Sequence, residues 1–295
     1  GNYYVPYSLK KITITGGTRI PTNAFEDLSE VTEIIIPNNV TSIGNSAFYR
    51  CTSMTTRNLT NKLTSIGSSA FYNCNAAKFN DIVFPSTLTY IGASAFYNCD
   101  KITNVTIPGS VKTIDYQAFD DCSSLKTLVV KDGVGTIGSY ILNKCVAVES
   151  VTLPFIGDTL ENTNKSDSNY QLAARLFYNG VEGKTYYTGN YYVPYTLKKI
   201  TITGGTRIPA NAFEDLSEVT EIIIPDNVTS IGKSAFYGCS SLITIQDDEV
   251  SVFPDTIKSI EDSAFNGCTS LKTTKIPSKI VSIGNRAFAN CNVSA

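Results

Sequence analysis

Histidine is absent from the 295 residues. The side chain most used for proton transfer near neutral pH, and the commonest nitrogen ligand for metals, is therefore unavailable. Tryptophan is also absent, and methionine occurs once. No stretch approaches the roughly 20 consecutive apolar residues that cross a bilayer, so no direct membrane insertion is expected. Charge is sparse and balanced, 24 Lys and Arg against 26 Asp and Glu, for a formal net charge of −2. Such a balance forms no basic stripe of the kind nucleic acid requires. There is no Cys-x-x-Cys, no nucleophile elbow and no glycine motif that cradles phosphate. The reading is non-enzymatic: no catalytic residue, no cofactor and no metal site is expected. Hydrophobic residues nevertheless make up 42% of the chain, enough for a packed core.

What is abundant is repetition. The phrase NVTSIGNSAFYRC at 39–51 returns as NVTSIGKSAFYGC at 227–239, with relatives at 62–74 and 87–99. Ala-Phe pairs mark the period at Phe25, Phe48, Phe71, Phe96 and Phe119, then at Phe213, Phe236, Phe265 and Phe288. Most steps are 23 residues. Ile141-Leu142 holds the next slot with bulkier partners. Within one unit, the spacing of two between Ile34 and Ile36 reads as a strand, which Pro37 ends because it has no N–H to donate. The Ser46-Ala47-Phe48 segment reads as a short helical or 3₁₀ turn after Gly44. A unit of this length cannot bury its apolar side alone, but stacked on its neighbours it can. The predicted fold is an α/β solenoid of about 10–11 coils. It would carry parallel strands on one face and short helical or 3₁₀ turns, or minor strands, on the other. Phe48 would stack on Phe25 and Phe71, each buried ring worth roughly 1.5–3 kcal/mol of transfer free energy.

Eight cysteines hold one slot per coil: Cys51, Cys74, Cys99, Cys122, Cys145, Cys239, Cys268 and Cys291. Stacking places them in a buried ladder of free thiols, because parallel side chains rarely reach the dihedral a disulfide needs.

A larger duplication overlies the short one. Residues 2–50 recur at 190–238 with five differences. The first copy starts where the second does, so the sequence reads as the interior of a longer array. Ends without polar caps predict frayed terminal coils or end-to-end self-association.

The unit resembles the BspA-like, Treponema pallidum-type leucine-rich repeat. The resemblance is carried by Ile102, Val105, Ile107, Pro108, Val111, Ile114, Ala118, Phe119 and Cys122 among others, and covers nearly all of the chain outside 155–196. It implies a surface-exposed or secreted protein from a bacterium or a mucosal protist. Members of that family adhere to host, matrix or microbial proteins. Four positions depart from the pattern: Arg57 and Thr274 in strand slots, and Asp115 and Glu261 in place of glycine. Distortion is expected in their coils.

The organisation read from the sequence is a repeat array at 2–154, a non-repeat insertion at 155–196, and a second array at 197–295 continuing the same solenoid. In the insertion, the stretch before Tyr170 reads as a polar loop. QLAARLFYNG reads as a helix ending at Asn179-Gly180, and a Tyr-rich hairpin is expected around Thr188-Gly189-Asn190. Two surfaces are candidates for ligand contact. One is the hairpin, with Tyr186, Tyr187, Tyr191 and Tyr192. The other is the outward side of the strands, with Glu33, Ile35, Glu221 and Ile223 among Thr-rich neighbours. Arg57 is a further candidate anchor, and Asp247-Asp248-Glu249 reads as a solvated acidic loop. The expected function is non-catalytic binding of an extracellular protein at the cell surface or after secretion. A structural stalk, or a glycan-binding module using the hairpin, are the alternatives.

Overall fold

The computed structural model describes residues 5–55, 59–76, 81–165, 170–188, 191–246, 253–272 and 276–292. Arg57, Thr274 and the acidic run at 247–249 lie outside them. The chain divides into two compact units, 1–147 and 148–295.

Unit 1 carries two parallel ladders, with strands numbered in chain order. The longer strands are β1 (Lys11–Thr13), β3 (Glu33–Ile35), β6 (Asp81–Val83), β8 (Asn104–Ile107) and β10 (Thr127–Val130). β1 pairs with β3, and β8 pairs with both β6 and β10, all in parallel. The second ladder uses two-residue strands: β2 (Arg19–Ile20), β4 (Ser42–Ile43), β5 (Ser65–Ile66), β7 (Tyr90–Ile91), β9 (Thr113–Ile114) and β11 (Thr136–Ile137). Each pairs in register with the next. Alternation does the sorting. In β8, Val105 and Ile107 are buried while Asn104 and Thr106 face water.

The helical turn expected at Ser46-Ala47-Phe48 does not form. Odd residues there close β-turns: Ala47 N–H donates to Gly44 O (3.3 Å), Tyr49 to Ser46 O (3.1 Å) and Cys51 to Phe48 O (3.1 Å). Even residues donate to the next coil instead: Ser46 N–H to Ser68 O, Phe48 to Ala70 O and Arg50 to Tyr72 O, each at 2.8 Å. Ser46 and Arg50 sit at φ 51° and 57°, in the left-handed region that breaks a helix. The pair recurs at Ser69 and Asn73 and at Ser94 and Asn98. Ser and Asn suit the slot because a short polar side chain tolerates that backbone. The segment is thus a third ladder made of turns.

Inside, the phenylalanines stack face to face. Centroids lie 5.4 Å apart for Phe25–Phe48, 5.1 Å for Phe48–Phe71, and 5.2 Å for Phe71–Phe96 and Phe96–Phe119. All eight cysteines are free thiols, seven of them buried. Their repetition has a hydrogen-bonding reason. Phe48 O accepts the Cys51 N–H of its own coil and the Cys74 Sγ–H of the next (3.2 Å). Cys99 serves Phe71 O at 3.0 Å and Cys122 serves Phe96 O at 3.1 Å. The slot calls for a small apolar side chain with one weak donor, which is cysteine.

Unit 2 repeats this design. β12 (Ser150–Leu153), β15 (Lys199–Ile202) and β17 (Glu221–Ile223) pair in parallel, as do β16 (Arg207–Ile208), β18 (Ser230–Ile231), β19 (Ser259–Ile260) and β20 (Ser282–Ile283). Phe213, Phe236, Phe265 and Phe288 stack at 5.0, 4.7 and 5.3 Å. Because Ser150 pairs with Lys199, everything from 155 to 196 belongs to one enlarged coil. That coil holds helix α1 (Leu160–Thr163), where the sequence suggested only loop, capped by the Thr159 side chain accepting from Asn162 N–H. It also holds α2 (Leu172–Leu176), shorter than the stretch read as helical, with Phe177 already extended. The antiparallel hairpin β13 (Thr185–Tyr187) and β14 (Tyr192–Pro194) follows; its tip at 189–190 is outside the described residues.

The expected distortion at Asp115 and Glu261 is not seen. Asp115 N–H still donates to Ile91 O (2.9 Å) and Glu261 N–H to Ile231 O (3.0 Å), continuing the ladder. The extra carboxylates find donors, Tyr90 OH (3.0 Å) for Asp115 and Arg207 Nη2 (2.6 Å) for Glu261.

Candidate functional site: the exposed strand face and the tyrosine hairpin

The outward strand face arises from alternation alone. In unit 1, Thr13 and Ile35 face outward side by side on β1 and β3, and Val83, Thr106 and Val129 do so on β6, β8 and β10. Ile35 is exposed, and Val83 is 76% exposed. In unit 2, Thr152, Thr201 and Ile223 fill the same slot. Neighbouring charges are paired across strands. Lys11 Nζ lies 3.0 Å from Glu33 Oε2, and Lys199 Nζ lies 2.7 Å from Glu221 Oε1. The first pair is largely solvated and adds little stability, the second is part-buried, and together they leave the face close to neutral. Glu33 and Glu221 therefore meet a lysine on the adjacent strand.

The hairpin sorts its tyrosines into two roles. Tyr187 and Tyr192 are cross-strand partners with centroids 5.1 Å apart, 59% and 40% exposed. The Tyr192 ring lies over Gly180, where a Cβ would collide with it. Glycine is required there by close approach. Tyr186 points the other way. Its hydroxyl is buried, and its ring tilts against Tyr195 at 5.5 Å. Burial raises the phenol's pKa, and Glu218 and Asp215 nearby push the same way. Tyr191 is half-buried, and its carbonyl accepts from Thr188 N–H at 2.9 Å. Of the four tyrosines, only Tyr187 and Tyr192 present a broad exposed surface. The strand alternation needed to separate them was visible in the sequence, but the side on which the hairpin packs was not.

One buried carboxylate was missed. Asp120 is almost inaccessible, and burial lifts its carboxyl to about 6. The Asn143 amide donates to both oxygens at 3.0 Å, and Gln117 Nε2 donates to Oδ2 at 2.6 Å. With its acceptors filled by protein donors, the group serves the turn ladder rather than a substrate. Among the described residues, no group of three or more Cys, Asp or Glu converges in a way that could hold a metal, and no helix is long and apolar enough to cross a membrane.

Comparison with known proteins agrees with this architecture. The family model of the BspA type leucine-rich repeat region matches residues 18–80, 75–171 and 249–295, in six copies. Among proteins of curated function, none matches the chain. Among solved structures, a leucine-rich repeat protein from Bacteroides ovatus is 24% identical, with 96% of this chain and 76% of that one covered and a TM-score of 0.47. A leucine-rich cell surface protein from Faecalibacterium prausnitzii is 25% identical over 95% and 79% of the two chains, with a TM-score of 0.39. The Treponema pallidum leucine-rich repeat protein is 21% identical, covering 49% of this chain and 80% of its own, with a TM-score of 0.41. With more than half of its length matched by the family model and its coils stacked as parallel ladders, the chain belongs to the BspA type leucine-rich repeat family.

Proposed function

We propose that this chain is a non-catalytic, protein-binding segment of a cell-surface or secreted protein, and that it binds through the outward face of its parallel strands. The observation that carries this reading is the aligned set Val83, Thr106 and Val129 on β6, β8 and β10, with Thr13 and Ile35 paired on β1 and β3. These side chains are uncharged and β-branched, they include the exposed Ile35 and Val83, and the inward side of the same strands is packed with Ile34, Ile82, Val105 and Leu128. Strands spaced about 4.8 Å apart present such a row to a broad protein surface with little ordering cost. The partner is an extracellular protein of host or microbial origin. Membership of a repeat family also favours this use, since stacked coils offer extended binding surfaces.

The test is a binding screen of the intact chain against an extracellular panel that includes fibronectin, fibrinogen and mucin. Binding should fall at least about tenfold, or about 1.4 kcal/mol, in the Val83→Asp/Val129→Asp double variant with its fold retained. Silence across the panel, or binding indifferent to both substitutions, would sink the proposal.

A glycan-binding reading is favoured by one observation, the exposed Tyr187–Tyr192 pair. Its test is the Tyr187→Ala/Tyr192→Ala variant on a glycan array, because Tyr186 is turned inward and Tyr191 is half-buried. A stalk would show neither kind of binding.

A further inference from the structure

The duplication is an internal control for one polar site. In the second copy, the two-residue strands β16, β18 and β19 align Arg207, Ser230 and Ser259. Two residues beyond Ser259, Glu261 stands in the slot that glycine fills in most coils. Its carboxylate is held through both oxygens. Arg207 Nη2 donates to Oε1 at 2.6 Å and Lys233 N–H to Oε2 at 3.0 Å, while Arg207 Nη1 donates to Ser230 Oγ at 3.2 Å. Asp115 takes the same slot in unit 1. Its Oδ2 also turns back to an earlier strand, accepting from Tyr90 OH at 3.0 Å. In both coils where an acid replaces the glycine, donors of this ladder meet the carboxylate.

The first copy keeps the donors and lacks the acid. β2, β4 and β5 align Arg19, Ser42 and Ser65 in the same way, and Arg19 and Ser42 match Arg207 and Ser230. Two residues beyond Ser65 stands Gly67. Asn45 replaces Lys233, but the donor there is the backbone N–H. A Cβ on Gly67 would lie 2.6 Å from the Asn45 nitrogen, so the space over Gly67 opens onto that N–H. Among the described residues, neither this N–H nor the exposed Arg19 guanidinium has an acceptor. The contrast is set by residue 67, two strands later than Arg19 on the ladder. Both partners of Arg207 likewise come from later strands. Asn45 Oδ1 leans over Gly67 to accept from Ser68 N–H at 3.0 Å; as an exposed side chain it can turn aside.

We propose that Arg19 and Asn45 N–H receive the carboxylate of an acidic side chain on a partner protein, seated over Gly67 where Glu261 sits in the second copy. A guanidinium and a backbone N–H, each facing one oxygen, suit a planar carboxylate. One exposed pair contributes little affinity, so the site selects and orients an acidic partner more than it holds one. It lies on the two-residue ladder and does not depend on the outward strand face.

The experiment is an NMR titration of the full chain with the blocked tripeptide Gly-Glu-Gly, run in parallel with its Gln counterpart and with inorganic phosphate. The Glu peptide should shift the Asn45 N–H and Arg19 Nε–H resonances, and the Gln peptide should not. Arg19→Gln should weaken the response at Asn45 at least about threefold, the scale of one exposed ion pair. Gly67→Glu should abolish it by supplying the carboxylate from within. Glu261→Gly restores the usual glycine and should create a second response, at Lys233 N–H. That variant keeps the test decisive if Gly67→Glu crowds Asn45 and does not fold. Val83→Asp/Val129→Asp should leave the shifts intact, which separates this site from the strand face. No response at Asn45, or an equal one to the Gln peptide, would overturn the proposal. A response to phosphate as tight as that to the Glu peptide would overturn the assignment to an acidic side chain. If Glu261→Gly leaves Lys233 N–H blind to the peptide, the second copy is no guide to the first and the proposal fails.

Discussion

At the scale of single residues, the cysteine slot shows how a side chain is chosen by the backbone beside it. The Phe carbonyl has two lone pairs. Its own coil fills one with a backbone N–H, and the next coil fills the other with a thiol. Serine would donate more strongly but costs more to bury, and alanine would leave the acceptor short of a partner. Burial then makes these thiols inert, since the thiolate is the reactive form. It pushes the Cys51 thiol up to about 12, and raises Cys74, Cys99 and Cys145 strongly. Cys291 is raised as well, but it is only partly covered. Iodoacetamide should therefore label Cys291 first and leave Cys74, Cys99 and Cys145 unlabelled until the chain unfolds, as peptide mapping over time would show. Labelling of Cys99 in step with Cys291 would contradict a closed ladder.

At the scale of elements, coils such as those of β8 and β10 are held by three ladders at once: the longer strands, the two-residue strands and the turn segment. The phenylalanine stack ties them together, because its rings sit under the turn that donates to the next coil. Phe96 is fully buried between Phe71 and Phe119, with Phe84 packed edge-on at 5.6 Å. Phe96→Ala should cost about 3–5 kcal/mol in urea unfolding, the range for a large buried ring with little room to collapse. A loss below about 1 kcal/mol would mean that the coils do not depend on the stack. The helical reading of this segment failed for a reason that belongs to the element. The i→i−3 bonds are present, but every second N–H is claimed by the neighbouring coil, and that demand sets Ser46 and Arg50 at positive φ. Apolar spacing along a single unit carries no information about a bond made to the next.

At the scale of the whole molecule, stability is expected to be uneven, since a coil is held chiefly by its neighbours. The duplicated blocks give an internal comparison with the sequence nearly constant. Amides of Lys11 and Thr15 should exchange faster than those of Lys199 and Thr203, because Lys199 N–H donates to Glu149 O (3.2 Å) and Thr203 N–H to Leu153 O (2.9 Å), whereas among the described residues β1 pairs only with β3. Equal protection in the two blocks, read by mass spectrometry of overlapping peptides, would show that the enlarged coil adds nothing to the strand it covers.

The repeat period, the buried Phe and Cys slots and the outward face of the strands were all legible before any coordinate, because each follows from a pattern that recurs many times in one chain. Ile34, Phe48 and Cys74 are buried for the same reason in every coil. The tyrosine hairpin was legible as an element but not as a surface, since only packing turns Tyr186 inward and leaves Tyr187 and Tyr192 in water. The plainest limit is the duplication itself. Val5 and Val193 sit in the same local sequence, yet one is exposed and the other buried. Periodicity names the side of a coil that must stay dry. Which segment keeps it dry depends on contacts between residues far apart in the chain, and these exist only once the coils have stacked.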